Sequence, residues 1–127
     1  MSNQSTNIAI VLDFIKSFSD KDLEKILDFV ADDCLYHNIP MEPVQGKEAM
    51  RQVLAGFVGM ASEIEWITHH IAETSAGAVL TERNDKFLIG DKWLDLPVMG
   101  TFEITDGKIS AWRDYFDLGQ FQSQMPQ

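Results

Sequence analysis

Two carboxylates and one guanidinium are predicted to point into the interior of this protein. Side chains alternate between the two faces of a strand, so Arg83 and Asp85 share an apolar face with Phe87, and Asp114 shares one with Trp112. Aspartate is unfavourable in strands and is rarely buried without a partner. The three charged groups therefore predict either an interior salt bridge or a pair of carboxylates available for acid and base chemistry.

The charge of this trio decides what chemistry it offers. Two ionised carboxylates and one guanidinium carry one net negative charge, whereas a pair that keeps one proton is neutral overall, and a dry pocket favours the neutral total. One Asp then acts as a base and the other, with a raised pKa, as an acid. Such a pair can add water across a strained ring, and Tyr36 and Asn38, which share a strand face, offer groups that hold the water. From the residues alone, the structural and catalytic interpretations stay open.

Three helices are predicted in the first half of the chain. Apolar residues recur at a spacing of three and four from Ile8 to Phe18, which is typical of a helix with one buried face. Asp20 is predicted to cap a second helix whose apolar stripe ends at Val30, and Gly46 precedes a third helix.

Four consecutive antiparallel strands are predicted after Ser62, with Leu118 on the inner face of the last. Turn signals at positions 76–77, 90–91 and 106–107 separate runs of β-branched and aromatic residues. A further strand is expected at 34–39. Helices followed by hairpins predict an α+β fold in which a curved sheet packs against the helices.

The composition excludes several classes of partner. Acidic residues outnumber basic ones by 20 to 10, and the net charge of −10 repels both a phosphate backbone and an anionic membrane. We therefore expect no nucleic acid and no membrane partner. The single cysteine, Cys34, and the lack of a targeting segment favour a cytoplasmic location.

Metal and cofactor sites are not indicated. His69 and His70 are adjacent in a predicted strand, so their side chains are expected to alternate across it and to be surface residues. The chain contains neither a nucleophile-elbow motif nor a glycine-rich phosphate or dinucleotide loop. We expect chemistry without a metal or cofactor.

Four stretches of the sequence resemble the limonene-1,2-epoxide hydrolase family. They are YHNIPMEPVQG at 36–46, LTERND at 80–85, LPVMGTFEI at 96–104 and AWRDYFD at 111–117. The resemblance implies the cone-shaped α+β fold shared with nuclear transport factor 2, in which a curved mixed or antiparallel sheet packs against three helices from the N-terminal half. It also implies a single domain over residues 1–127 and a homodimer formed through the sheet.

This resemblance gives five residues a role. Asp114 is the base that activates water, and Tyr36 and Asn38 position the same water. Asp85 is the acid that donates to the epoxide oxygen, and Arg83 bridges the two carboxylates. The expected substrates are water and a small apolar epoxide, terpene-like or cyclic, and the product is a vicinal diol. Two alternatives remain on this fold: an enzyme similar to ketosteroid isomerase or polyketide cyclase, and a non-catalytic module that binds a small apolar molecule.

Overall fold

One six-stranded sheet carries all five residues that the resemblance gives a role. The structure, a computed structural model, describes residues 5–125, and within them it has six strands and four α-helices. In chain order the elements are α1 (Thr6–Ser17), a 3₁₀ turn (Phe18–Asp20), α2 (Leu23–Leu27), β1 (Val30–Asn38), β2 (Val44–Gln45), α3 (Lys47–Met60), β3 (Glu63–Glu73), β4 (Val79–Ile89), β5 (Lys92–Thr105), β6 (Lys108–Tyr115) and α4 (Leu118–Gln124).

The sheet is mixed, and its strand order differs from the order along the chain. The strands lie in the order β2-β1-β6-β5-β4-β3, with β1 and β6 parallel and every other pair antiparallel. Register shifts in β3 and β5 bend the sheet, as β-bulges do. The α+β class, the early strand and the four consecutive antiparallel strands are confirmed.

Short turns hold these strands in register. Thr105 pairs with Lys108, so the last hairpin has a two-residue loop made of Asp106 and Gly107. Both loop residues have positive φ, 52° and 78°, which is the conformation that matches the right-handed twist of a hairpin. The Asp-Gly turn signal therefore explains how β6 returns directly alongside β5.

The start of α2 differs from the prediction. Asp22 caps this helix by accepting a hydrogen bond from the backbone N–H of Lys25 at 3.2 Å, whereas Asp20 ends the 3₁₀ turn. Lys21, at φ 54°, adopts a left-handed conformation that separates the two helical segments. The helix ends at Leu27, so Val30 begins β1 instead of completing a helical stripe. Within residues 5–125, no helix combines the length and apolar character needed to cross a bilayer.

The C-terminal helix α4 was not predicted. β6 ends at Tyr115, and Asp117 caps α4 by accepting from the N–H of Gln120 at 2.9 Å. Leu118 therefore starts a helix and does not extend the strand. The helix has seven residues and none is fully buried. Its sequence therefore shows no apolar periodicity that would predict a helix. The helix nevertheless brings Phe121 over the inner face of the sheet.

Aromatic packing fixes α1 against the sheet. Phe14, Phe18, Phe102 and Trp112 are completely buried. The ring of Phe14 contacts that of Trp112 edge-on, with centroids 5.0 Å apart, and that of Phe102 at 6.1 Å. Buried aromatic rings supply much of the apolar area of a core. These contacts hold α1 against the inner face of the sheet.

The adjacent histidines both lie on the outer face of the sheet, so the expectation that they alternate is wrong. A bulge between Thr68 and His70 shifts the register of β3. His69 Nε2 is 2.7 Å from Asn84 Oδ1, and His70 Nδ1 is 2.8 Å from Glu82 Oε1. Their surface location is confirmed. Across the described range, no three His, Cys, Asp or Glu side chains form a group that could hold a metal ion.

Candidate active site

A row of paired positions crosses four strands beneath the candidate site. Thr81 on β4 pairs with Gly100 on β5, which pairs with Asp114 on β6, which pairs with Asn38 on β1. Neighbouring strands are about 4.8 Å apart, so the register brings together residues that are distant in the sequence. The inward face predicted for Arg83, Asp85 and Asp114 is confirmed, because all three side chains are buried.

Gly100 lets Arg83 reach across β5. The guanidinium starts on β4 and binds Asp114 on β6, so it must pass over the intervening strand. A Cβ atom on Gly100 would overlap Arg83 Nη1 and Asp114 Oδ1. Sequence reasoning did not identify this residue, although a glycine inside a strand is a known sign of close approach by another group.

Arg83 binds both carboxylates at once. Its Nε and Nη2 donate to the two oxygens of Asp85 at 2.9 and 2.8 Å, and Nη2 also donates to Asp114 Oδ2 at 2.9 Å. Nη1 donates to the hydroxyl of Thr81 at 3.0 Å. Arg83 is 1% exposed and each carboxylate residue 4%. The bridge is therefore shielded from solvent, and a two-pronged guanidinium–carboxylate contact is the strong form of this interaction.

The burial of this trio changes its proton affinities. Burial raises the pKa of Asp85 to about 6 against the opposing effect of Arg83, and the nearby carboxylate of Asp114 raises it further. Burial lowers the pKa of Arg83, but its two carboxylate partners raise it by more, so the guanidinium stays charged. One carboxyl of the pair thus holds a proton at a higher pH than an ordinary Asp, as the charge argument requires.

Tyr36 and Asn38 lie next to Asp114 and are joined to each other. Asn38 Nδ2 donates to the hydroxyl of Tyr36 at 3.0 Å. The ring of Tyr36 stacks on Trp112 with centroids 4.4 Å apart, and Trp112 Nε1 donates to Asp114 Oδ1 at 2.8 Å. Burial, with the carboxylate of Asp114, raises the pKa of Tyr36, so its hydroxyl stays protonated. Among residues 5–125 nothing bonds to the amide oxygen of Asn38 or accepts from the Tyr36 hydroxyl.

These polar groups line one wall of a cavity. Counted with its opening to solvent, the cavity encloses about 400 Å³. One water takes up about 30 Å³ in the liquid, so water fits beside the carboxylates. Arg83 lies behind the wall. The lining residues are Tyr36, Asn38, Phe57, Trp66, Asp85, Phe87, Leu96, Val98, Asp114, Phe116 and Phe121.

A family model and a related protein both match this chain, and they agree on its family. Residues 5–127 match the model of the limonene-1,2-epoxide hydrolase catalytic domain. Epoxide hydrolase EphG of Mycobacterium tuberculosis (strain ATCC 25618 / H37Rv) is 33% identical over 105 residues, which cover 83% of this chain and 69% of EphG.

Solved structures show the same architecture. An M. tuberculosis LEH-like epoxide hydrolase superposes with a TM-score of 0.81 at 30% identity, covering 96% of this chain and 90% of that one. SalBIII, an epoxide hydrolase/cyclase-like enzyme in pyran ring formation in polyether salinomycin, has a TM-score of 0.82 at 15% identity, covering 94% and 97%. At that identity, SalBIII shares the fold alone.

Replacing Gly100 by Ala is expected to destabilise the protein. The new methyl group overlaps the Arg83–Asp114 contact, and overpacking of this kind costs about 1–3 kcal/mol. Gly56→Ala is the matched control, because no atom lies within 4 Å of a Cβ at this exposed position of α3, where Ala favours the helix. Urea unfolding of both variants measures the difference. A Gly100→Ala variant as stable as wild type would contradict the steric argument.

Asp85→Asn is expected to remove part of the pH dependence of stability. Because the folded-state pKa of Asp85 lies near 6, above its ordinary value of 3.8, the folded protein binds more protons than the unfolded chain between those two values. The stabilisation from Asp85 is thus complete below about pH 4 and lost as the pH rises through 6. Unfolding free energies measured from pH 4 to 7 should fall more in wild type than in the variant, and parallel curves would refute this.

Proposed function

Because the chain belongs to the limonene-1,2-epoxide hydrolase family, we propose that it adds water to a small apolar epoxide and releases a vicinal diol, by one-step general acid and base catalysis. The observation that carries the proposal is the buried Arg83 bridge, which holds two carboxylates 2.8–2.9 Å from one guanidinium beside a cavity with room for water.

Asp114 is the base in this proposal. Its Oδ2 accepts from Arg83 and its Oδ1 from Trp112, which fixes the carboxylate in the cavity wall. Tyr36 and Asn38 each keep one hydrogen-bonding group for a water beside it, a hydroxyl donor and an amide acceptor. A water held by all three residues is oriented with one hydrogen toward the carboxylate and its oxygen toward the substrate. Positioning of this kind suits general base catalysis.

Asp85 is the acid. Its raised pKa keeps a proton available for the epoxide oxygen. As the water oxygen forms a bond to one ring carbon, that carbon's bond to the ring oxygen breaks, and the electron pair on the ring oxygen takes the proton of Asp85. Asp114 then carries the proton lost by water. The Arg83 bridge lies between the two carboxylates, so the proton returns to Asp85 with no net change in the enzyme.

The rest of the cavity suits an apolar carbon skeleton. Aromatic side chains from three elements also line the cavity: Phe57 from α3, Phe87 from β4 and Phe121 from α4. Sites that bind small molecules commonly combine an apolar lining with a few placed polar groups. A terpene-like or cyclic epoxide fits this chemistry, and its ring oxygen is the group that Asp85 protonates.

Two other activities on this fold are weaker candidates. An enzyme like ketosteroid isomerase or polyketide cyclase removes a proton from carbon and has no need of a water held opposite the base. A non-catalytic binding module would need neither that water nor an acid with a raised pKa. The free hydroxyl donor of Tyr36 and amide acceptor of Asn38 next to Asp114 therefore favour hydrolysis.

We also propose a homodimer of single-domain subunits that pair through the outer face of the sheet. Met99 and Tyr115 are direct neighbours on β5 and β6 and are 54% and 47% exposed. Leu80, on the adjacent strand β4, adds a third exposed apolar side chain. Exposed apolar patches mark interaction surfaces. Sedimentation velocity should give a dimer that Met99→Lys weakens, whereas a strictly monomeric wild-type protein would contradict the proposal.

A cytoplasmic location is proposed on the state of the single cysteine. Cys34 is buried in β1, and burial raises the pKa of its thiol to about 12, so it is an inert thiol without a disulfide partner. Proteins whose cysteine is buried and forms no disulfide are typical of reducing compartments. Fractionation of producing cells would test the location, and recovery of the protein outside the cytoplasm would contradict it.

Asp114→Asn and Asp85→Asn are each expected to reduce diol formation by at least about 100-fold, because general acid and base contributions are worth roughly 10²–10⁴. Diol is measured by chromatography with terpene, cyclic and aryl epoxides. Asp91→Asn, an exposed residue in the turn between β4 and β5, is the carboxylate control and should retain wild-type turnover. Near-normal activity in either site variant would remove that residue from the mechanism.

The oxygen of the attacking water is expected to appear in the diol at the first turnover. In a covalent route a carboxylate attacks carbon, and a separate base, typically His, then hydrolyses the ester. The three histidines, His37, His69 and His70, are absent from the cavity lining. A single turnover with excess enzyme in ¹⁸O-labelled water should give labelled diol. Unlabelled first product, with the label later in an Asp side chain, would establish the covalent route instead.

A further inference from the structure

Trp66 presents a hydrogen-bond donor that the proposed reaction does not use. It lies on β3 opposite Asp85 and lines the same cavity. Within residues 5–125, its indole Nε1 is the only buried side-chain nitrogen or oxygen without a hydrogen-bond partner. Buried tryptophan N–H groups usually have an acceptor, and a donor left unpaired away from water is unfavourable. An acceptor that enters the cavity therefore completes this site.

Packing of the ring does not explain the choice of tryptophan. The ring stacks on Phe18 with centroids 3.9 Å apart and meets Phe87 edge-on at 6.1 Å. The guanidinium carbon of Arg83 lies 5.2 Å from its centre. A phenylalanine ring would offer the same kinds of contact with its aromatic face. Beyond a larger aromatic surface, the feature that tryptophan adds here is the N–H.

We propose that Trp66 binds a second oxygen on the substrate, so that the preferred epoxide carries a carbonyl, ether or hydroxyl oxygen in addition to the ring oxygen. This inference rests on the proposed function, in which Asp85 already serves the epoxide oxygen and Tyr36, Asn38 and Asp114 already serve the water. The second oxygen of the substrate is therefore the acceptor that remains for the N–H of Trp66.

The register limits where this second oxygen lies. Trp66 and Asp85 are direct partners on adjacent strands and share the inner face, and such pairs have Cβ atoms about 5 Å apart. The second oxygen is therefore a few bonds from the epoxide. A hydrocarbon epoxide of the same shape leaves the N–H unpaired, and sites with a polar group discriminate against analogues that lack its partner.

The test compares epoxides that differ by one oxygen. Cyclohexene oxide is paired with 3,4-epoxytetrahydropyran, and 1,2-epoxy-4-ethylcyclohexane with its 4-methoxy counterpart. Wild type should have a kcat/KM about 5- to 10-fold higher for at least one oxygenated member, as expected for one hydrogen bond. Trp66→Phe should abolish that preference by lowering the oxygenated value alone. Trp93→Phe, an exposed tryptophan of β5, is the matched control and should preserve the preference.

Other outcomes overturn the inference. An equal fall for both members of a pair in Trp66→Phe would mean that the N–H binds the epoxide oxygen itself. Unchanged values for both, or no preference in wild type, would mean that it holds only a water.

A binding measurement separates failure of this inference from failure of the proposed function. The indole N–H resonance of Trp66 in the ¹⁵N-labelled wild-type protein is followed while the diols of the two series are added. A downfield shift with the oxygenated diols alone supports the second-oxygen site even if no epoxide is turned over. The same response to both series, or none, counts against the site, and the exposed Trp93 serves as the internal reference.

Discussion

The guanidinium of Arg83 is the group on which the rest of this site depends. Taking a charge out of water is unfavourable unless close partners replace the lost hydration. Here two carboxylates and the hydroxyl of Thr81 accept from it, while the rings of Trp66 and Phe102 lie within 6 Å of its carbon. If Arg83 is lost, two buried carboxylates are left without a counter-charge. These hydrogen bonds constrain the positions of both carboxylates in the cavity wall.

The same interaction links stability to reactivity. Two carboxylates share one cation, so burial penalises the state in which both are ionised, and the pKa of Asp85 rises. An interior salt bridge between single partners would have no reason to keep a proton. The raised pKa of Asp85 means that the trio holds a proton, and is neutral, below about pH 6. The same three residues therefore suit both the structural interpretation and the catalytic one that we propose.

Much of this arrangement was readable from the sequence because strand periodicity is local. Alternation along β4 and β6 placed Arg83, Asp85 and Asp114 on the inner face, and the Asp-Gly turn correctly marked the last hairpin. What could not be read depends on neighbours in space. Gly100 matters only because Arg83 crosses it, and Trp66 only because it lines the cavity with a buried N–H that has no partner in the described residues. The histidine pair was misplaced by a bulge, and α4 was missed because a seven-residue helix without a buried side chain has no clear pattern.

The position of β6 in the sheet affects how the protein folds while it is being synthesised. Among the six strands of the described residues it is the last in chain order, yet it lies between β1 and β5. Until it is made, the earlier strands form two separate pieces with unpaired edges, and neither piece contains Asp114. Sheets joined by such late, long-range pairing fold slowly and expose strand edges meanwhile. The nascent protein therefore depends on β6 both to join the two parts of its sheet and to give Arg83 its second carboxylate.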